Sequence, residues 1–163
     1  MLTDLLRPIY ARDLKTLDRE VAAYPDDASV WREVPGLPNT AGTLVLHLVG
    51  NLNHFIGTIL GETDYVRDRE AEFATRDTPR AELRRAVSDV AAVVEGVLMA
   101  LPAARLDEPF PVQFRGATLR VGTTLVHLAT HLAFHLGQID YHRRVVTGDP
   151  TGVAAMVPAE LER

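Results

Sequence analysis

Apolar residues recur at three- and four-residue intervals over four long stretches of the chain, and each stretch predicts an amphipathic helix. From Thr3, an N-cap followed by the acidic Asp4, a first helix runs to about Ala23, with Tyr10, Leu14, Leu17, Val21 and Tyr24 recurring at that interval. Pro8 predicts a kink or a later start. The segment from Pro25 to Asn39 carries Pro25, Pro35, Gly36 and Pro38 and reads as a connection, pinned to the helices by Trp31. Asn39 or Thr40 caps a second helix that continues to about Leu60.

After Gly61 comes the charged stretch ETDYVRDREAEF, and then Thr78 and Pro79 read as the N-cap and first residue of a third helix. Its Leu83, Val87, Val90, Val94, Val97 and Leu101 alternate steps of four and three, the seam of a packed bundle helix, and Pro102 ends it. Residues 110 to 121, FPVQFRGATLRV, alternate about Arg115-Gly116 and allow a small β-hairpin or an irregular loop. A fourth helix starts near Thr123 and runs to about Val146, before Gly148-Asp149-Pro150. The last dozen residues show no periodicity and read as a packed tail or a disordered end. Four long helices in this length predict an all-α four-helix bundle in one domain over 1–163, with the long connection at 61–78 permitting a crossover between helices two and three.

Composition narrows the functional classes. At 163 residues and 47% hydrophobic content the chain can build a core without disulfides, and the absence of cysteine excludes thiolate metal sites and a cysteine nucleophile of its own. A net charge of −5, from 22 acidic and 17 basic residues, offers no footprint for nucleic acid. Asp4 stands where a signal peptide would be basic, and no apolar run is expected to reach the ~20 residues that span a bilayer. A cytoplasmic protein with neither nucleic-acid nor membrane partners is the expectation.

The candidate chemistry lies in HLATHLAFHLGQ, where His127, His131 and His135, half of the six histidines, follow one another at four-residue steps among apolar residues. At about 100° per residue, these three with Gln138 and His142 share a stripe about 80° wide. His47 and His54 are seven residues apart on the second helix, within about 20° of each other. A single inward histidine is ordinarily a core residue bonded to a carbonyl. Several on two nearly all-apolar helices each lose hydration worth about 1–3 kcal/mol unless they find a partner.

A divalent transition metal is such a partner, because imidazole suits Zn, Ni, Cu and Fe and residues at i and i+4 can face one ion. A histidine-rich polar core or a small-molecule pocket are the alternatives, and the spacing alone does not select which histidines bind. The positions after His127 and His131 are Leu128 and Leu132, not the glutamate of a zinc protease, and no Glu-x-x-His pair of a di-iron bundle is present. A mononuclear, histidine-only site with open positions fits these residues.

Three segments, NTAGTLVLHLVGNLNHF, VRDREAEF and HLATHLAFHLGQI, together with the helical pattern, resemble the DinB-like (YfiT-like) superfamily of metal-binding four-helix bundles over nearly the whole chain. The resemblance implies His47, His131 and His135 as ligands of a divalent ion, zinc or nickel, with water in the remaining positions. It also implies an up-down-down-up bundle and a homodimer. In that arrangement helices two and four run antiparallel, so a step of seven from His47 to His54 corresponds to a step back from about 133 to about 126. His54 and His127 are then expected at one level, as a second polar layer or pocket wall. Asn51, Thr130 and Gln138 are candidates to hold the outer nitrogens of the ligands, with Gln138 favoured and the other two read as ordinary packing. The run Arg67–Phe73 is ordinarily a solvated loop; the resemblance implies instead a structural, non-catalytic role, with Arg67 or Arg69 bracing a helix end.

Two functional classes follow. The resemblance implies a metal-dependent thiol transferase or isomerase using a low-molecular-weight thiol such as mycothiol or bacillithiol, with metal-activated water, hence a hydrolase, as the chemical alternative. A non-catalytic metal or small-ligand binding protein is the other class, since no carboxylate stands out as a general base.

Overall fold

The computed structural model describes residues 1–114 and 116–162, and among them every regular element is helical. The chain forms α1 (Leu2–Ala22), α2 (Asp27–Val30), α3 (Ala41–Leu52), a π-helical segment Asn53–Thr58, α4 (Ile59–Gly61), α5 (Arg69–Ala74), α6 (Arg80–Ala100) and α7 (Val121–Thr147). Short 3-10 turns lie at Ala103–Asp107 and Pro158–Leu161. The second predicted helix is thus α3, the π segment and α4 end to end.

Both α1 and α3 pack against α6 and α7. Cross-helix pairs set their directions. Tyr10 donates its hydroxyl to the Leu125 carbonyl at 2.7 Å and Tyr24 lies 2.7 Å from His142 Nδ1, so α1 and α7 run parallel. Arg7 pairs with Glu95, and Arg84 with Asp18 at 2.7 Å, so α1 and α6 run antiparallel. Gly57 faces Val93 and Gly61 faces Val97, which makes the second helix and α6 parallel. His47 meets His131, while Phe55 meets Phe114 and Phe114 meets His127, which makes α3 and α7 antiparallel. The order is up, down, down, up, and residues 61–78 make the crossover.

Several local expectations are corrected. Helix α1 begins at Leu2, so Thr3 is a buried first-turn residue and not the cap, and Pro8 lies inside an uninterrupted helix. Helix α6 begins at Arg80 with Pro79 in the capping position. Thr78 does not cap it; Asp27 Oδ1 instead accepts from the Arg80 backbone N–H at 3.1 Å and from its Nε at 3.0 Å. In the α6 seam Leu98 is buried where Val97 was expected, because Val97 sits half-covered over Gly61. Around 110–121 there are two isolated bridges, Pro109 with Arg120 and Phe114 with Ala117, and no named strand among the described residues; Arg115, at the expected turn, lies outside them.

Trp31 does pin its connection: its Nε1 donates to the Thr78 carbonyl at 3.0 Å, and the indole lies so close to α3 that a Cβ on Gly42 would fall 2.6 Å from it. The tail is packed, since Arg143 donates to the Thr151 carbonyl at 2.8 Å and Arg19 to the Ala154 carbonyl at 3.0 Å. Ala41–Gly61 is, by length and composition, apolar enough to cross a membrane, contrary to the reading of the sequence. Here it is a bundle helix, packed against α6 and α7. That role accounts for its near-complete apolarity.

Candidate metal centre

Helices α3 and α7 bring three imidazoles together because they are antiparallel neighbours and His131 and His135 are one turn apart on the face turned to α3. His47 Nε2 lies 3.3 Å from His131 Nε2, and His135 Nε2 lies 3.1 Å from the same atom. The coordinating atoms of His47, His131 and His135 all fall within 4.8 Å of one another. His47 is buried, and the other two are half-buried.

Each outer nitrogen decides what the inner one can do. Glu72 Oε2 lies 3.0 Å from His47 Nδ1, and Gln138 Oε1 lies 2.7 Å from His135 Nδ1. Both oxygens are acceptors, so both Nδ1 atoms carry the proton and both Nε2 atoms present a lone pair. His131 Nε2 could donate to only one of them at a time. At least one N···N contact therefore sets lone pair against lone pair, and a cation at the centre relieves it. Tetrahedral Zn–N bonds of about 2.0–2.1 Å separate their nitrogens by about 3.3 Å, close to the two spacings that His131 makes. With its Nε2 committed to a cation, His131 would carry its proton on Nδ1, a buried atom without a hydrogen-bond partner. The residues present fit a divalent ion.

Burial also favours the neutral form of His131 and His47. It pushes His131 down to about 4, helped by His135 and His47. His47 is likewise lowered by burial, although Glu72 pulls the other way. Neutral imidazole is the form that binds metal.

Glu72 is the part of the site that the sequence reading missed. Asp68 caps α5 by accepting from the Ala71 N–H at 2.9 Å, and the short helix turns Glu72 inward to 5% exposure. Arg67 grips both carboxylate oxygens, Nε to Oε1 at 2.6 Å and Nη2 to Oε2 at 2.9 Å. The carboxylate lies against α3 at Gly50, where a Cβ would come within 2.8 Å of Glu72 Cδ and closer still to Oε1. Only glycine leaves that space. The charged run is therefore not a solvated loop: it delivers a clamped carboxylate to His47. Arg69 instead lies over the Phe73 ring, 5.0 Å from its centroid, and Phe73 packs on His47 at 5.1 Å.

The remaining candidates divide. Gln138 is where the spacing placed it. Thr130 donates to the His127 carbonyl at 2.9 Å and faces solvent. Asn51 is buried with Oδ1 unpartnered. His54 is half-buried against Phe55, with burial and Arg67 lowering it, while His127 is exposed, against Phe114 and 6.3 Å from the His131 ring. Phe55 and Phe114 stack on each other at 4.9 Å. A run of ring contacts through Phe55 and Phe114 thus links the two histidines expected to share a level. The π-helical segment, which contains both His54 and Phe55, begins at this point.

His142, on the histidine stripe of α7, serves the core. Fully buried, it lies 2.9 Å from the Arg32 carbonyl through Nε2, which must donate, leaving Nδ1 to accept from the Tyr24 hydroxyl. Burial lowers its pKa.

Comparison with known proteins adds one finding: the sequence pattern of the DinB superfamily matches residues 10–139, a span that includes His47, Glu72, His131, His135 and Gln138. No curated protein matches the chain.

Proposed function

The chain belongs to the DinB superfamily, and we propose that it is a metalloprotein whose His47, His131 and His135 hold one divalent transition ion through their Nε2 atoms, for use with a low-molecular-weight thiol. The observation carrying this reading is the convergence of three Nε2 atoms, two of them fixed as lone-pair donors by Glu72 and Gln138. Zinc and nickel both suit three imidazoles with open positions.

The chain's own residues then have separable tasks. Glu72 orients His47 and, as a carboxylate bonded to the ring N–H, raises its strength as a ligand. Arg67 holds Glu72 in place beside the site through both of its oxygens. Gln138 fixes the His135 ring. A bound divalent ion would lower the pKa of a thiol or water that joins it. His127, exposed and beside His131, is placed to take a proton released there and pass it to solvent. The thiol comes from outside because the chain has no cysteine.

Titrating the cobalt-loaded protein with a panel of low-molecular-weight thiols tests the thiol assignment. A thiolate-to-cobalt charge-transfer band, and turnover when an electrophile is added, are expected; a metal-loaded protein whose spectrum no thiol alters would reduce the reading to metal binding alone. The glycine at position 50 supplies a second check. Gly50→Ala is expected to push Glu72 off His47 and weaken metal binding about 10- to 100-fold, as loss of a ligand's outer partner does. Competition against a chromophoric chelator measures this, and an unchanged affinity would remove Glu72 from the account.

A further inference from the structure

Beside the three histidines lies a cavity of about 410 Å³, walled by Leu37, Leu44, Phe134, Gly137 and Tyr141 and bounded at one end by His135. Its volume is within the ~300–1,000 Å³ of small-molecule sites. Leu44 stands one turn before His47 on α3, and Tyr141 is six residues past His135 on α7. Because these helices are antiparallel, both displacements point the same way along the bundle. The cavity therefore extends one to two turns, about 5–10 Å, away from the nitrogen cluster, and His135 belongs to both.

Of the polar residues at this wall, His142 and the Gln138 oxygen are already engaged, while Asn39 also lines it. Both ring nitrogens of His142 are bonded, to Tyr24 and to the Arg32 carbonyl, and the Gln138 oxygen is held by His135. Most of the remaining wall is apolar, with two large rings left in solvent: Phe134 is 65% and Tyr141 71% exposed. Gly137, one turn before Tyr141, has nothing within 4 Å of the place where its Cβ would be. A side chain there would occupy the cavity, and its absence keeps the space open.

We propose that this cavity is the specificity pocket of the site, binding the aryl or alkyl body of a small molecule whose oxygen or sulfur donor reaches the ion at His47, His131 and His135. The inference rests on the metal reading above and adds the substrate class: a compact apolar body of roughly one ring, carried one or two atoms from a donor group. Phe134 and Tyr141 close over that body, and Leu37 and Leu44 form its floor.

Hydroxamates isolate the two parts, because acetohydroxamate and benzohydroxamate share a donor head and differ in the body. Each is titrated into the cobalt-loaded protein and followed by the visible spectrum. Benzohydroxamate is expected to bind about tenfold more tightly or better, each tenfold being a difference readily resolved by titration. Gly137→Leu is expected to retain full cobalt content and lose that preference, while Gly137→Ala keeps it and controls for the change in helix propensity. Equal affinities in the native protein, or a preference unchanged in Gly137→Leu, would overturn the pocket assignment and leave the metal reading standing. Failure to take up cobalt at all would overturn both.

Discussion

Replacing His131 with alanine is expected to lower bound divalent metal from about one ion per chain to below about 0.1, the largest functional effect of any single change in the site. His131 Nε2 is the shared vertex of the cluster, 3.3 Å from His47 Nε2 and 3.1 Å from His135 Nε2. Without it, two imidazoles remain on different helices with a gap between them. His47→Ala and His135→Ala should also release the ion, whereas His127→Ala, which removes an exposed ring, should not. The fold should survive: relieving the lone-pair conflict removes an unfavourable contact, and His131 itself is only half-buried. Elemental analysis of untagged, metal-supplemented protein, with circular dichroism to confirm the helices, makes the measurement. Full metal content in the His131 variant would refute the assignment.

The sequence disclosed the long helices and the histidines because both depend on local periodicity. Four-residue spacing puts His131 and His135 on one face whatever surrounds them, and antiparallel packing of two apolar helices brings His47 to that face. Gln138 was readable for the same reason, three residues beyond its partner on the same helix. Glu72 was not. It acts across 25 residues of sequence, from a six-residue helix inside a run whose charge matches any solvated loop. The one local clue was a glycine, Gly50, in the middle of an apolar helix, where glycine is costly without a packing reason. Its reason is the carboxylate lying against it.

Caps and register show the same division. Thr78-Pro79 has the composition of a helix start, but the cap of α6 comes from Asp27, a residue 53 positions away. The expected level pairing of His54 with His127 assumed 3.6 residues per turn throughout the second helix. The helix is regular as far as Leu52 and residues Asn53–Thr58 then adopt π-helical turns, so counting by regular turns loses its footing only from there on. Nothing in NHFIGT announces that change. His142 falls on the predicted stripe yet faces Tyr24, because the stripe is wide enough for its far edge to meet α1 instead of α3.

Removing the Glu20 carboxylate is expected to cost about 3–5 kcal/mol, a large share of the ~5–15 kcal/mol that stabilises a domain of this kind. Glu20 and Arg143 are each 1% exposed, joined through Arg143 Nε and Glu20 Oε2 at 2.6 Å, and Arg143 Nη2 also reaches Asp140 at 3.2 Å and the Thr151 carbonyl at 2.8 Å. Burial pushes the Glu20 carboxyl up against the pull of Arg143, so the intact pair gives back much of its attraction as desolvation. Its removal from one side is another matter. In Glu20→Ala the guanidinium, which cannot shed its proton, stays inside with its main partner gone. Urea unfolding should show the midpoint falling by about 2 M for a slope near 2 kcal/mol/M. Glu20→Leu combined with Arg143→Met should recover most of that loss, since it removes both charges and keeps the volume. Arg143 is eight residues beyond His135 on α7, so the pair also sets how α7 lies against α1. Glu20→Ala should accordingly weaken metal binding by much less than it lowers stability, because α3 and α5, which supply His47 and Glu72, make no use of the pair. A single variant as stable as the native protein, or a double variant no better than the single, would show that the cost lies elsewhere than in the stranded charge.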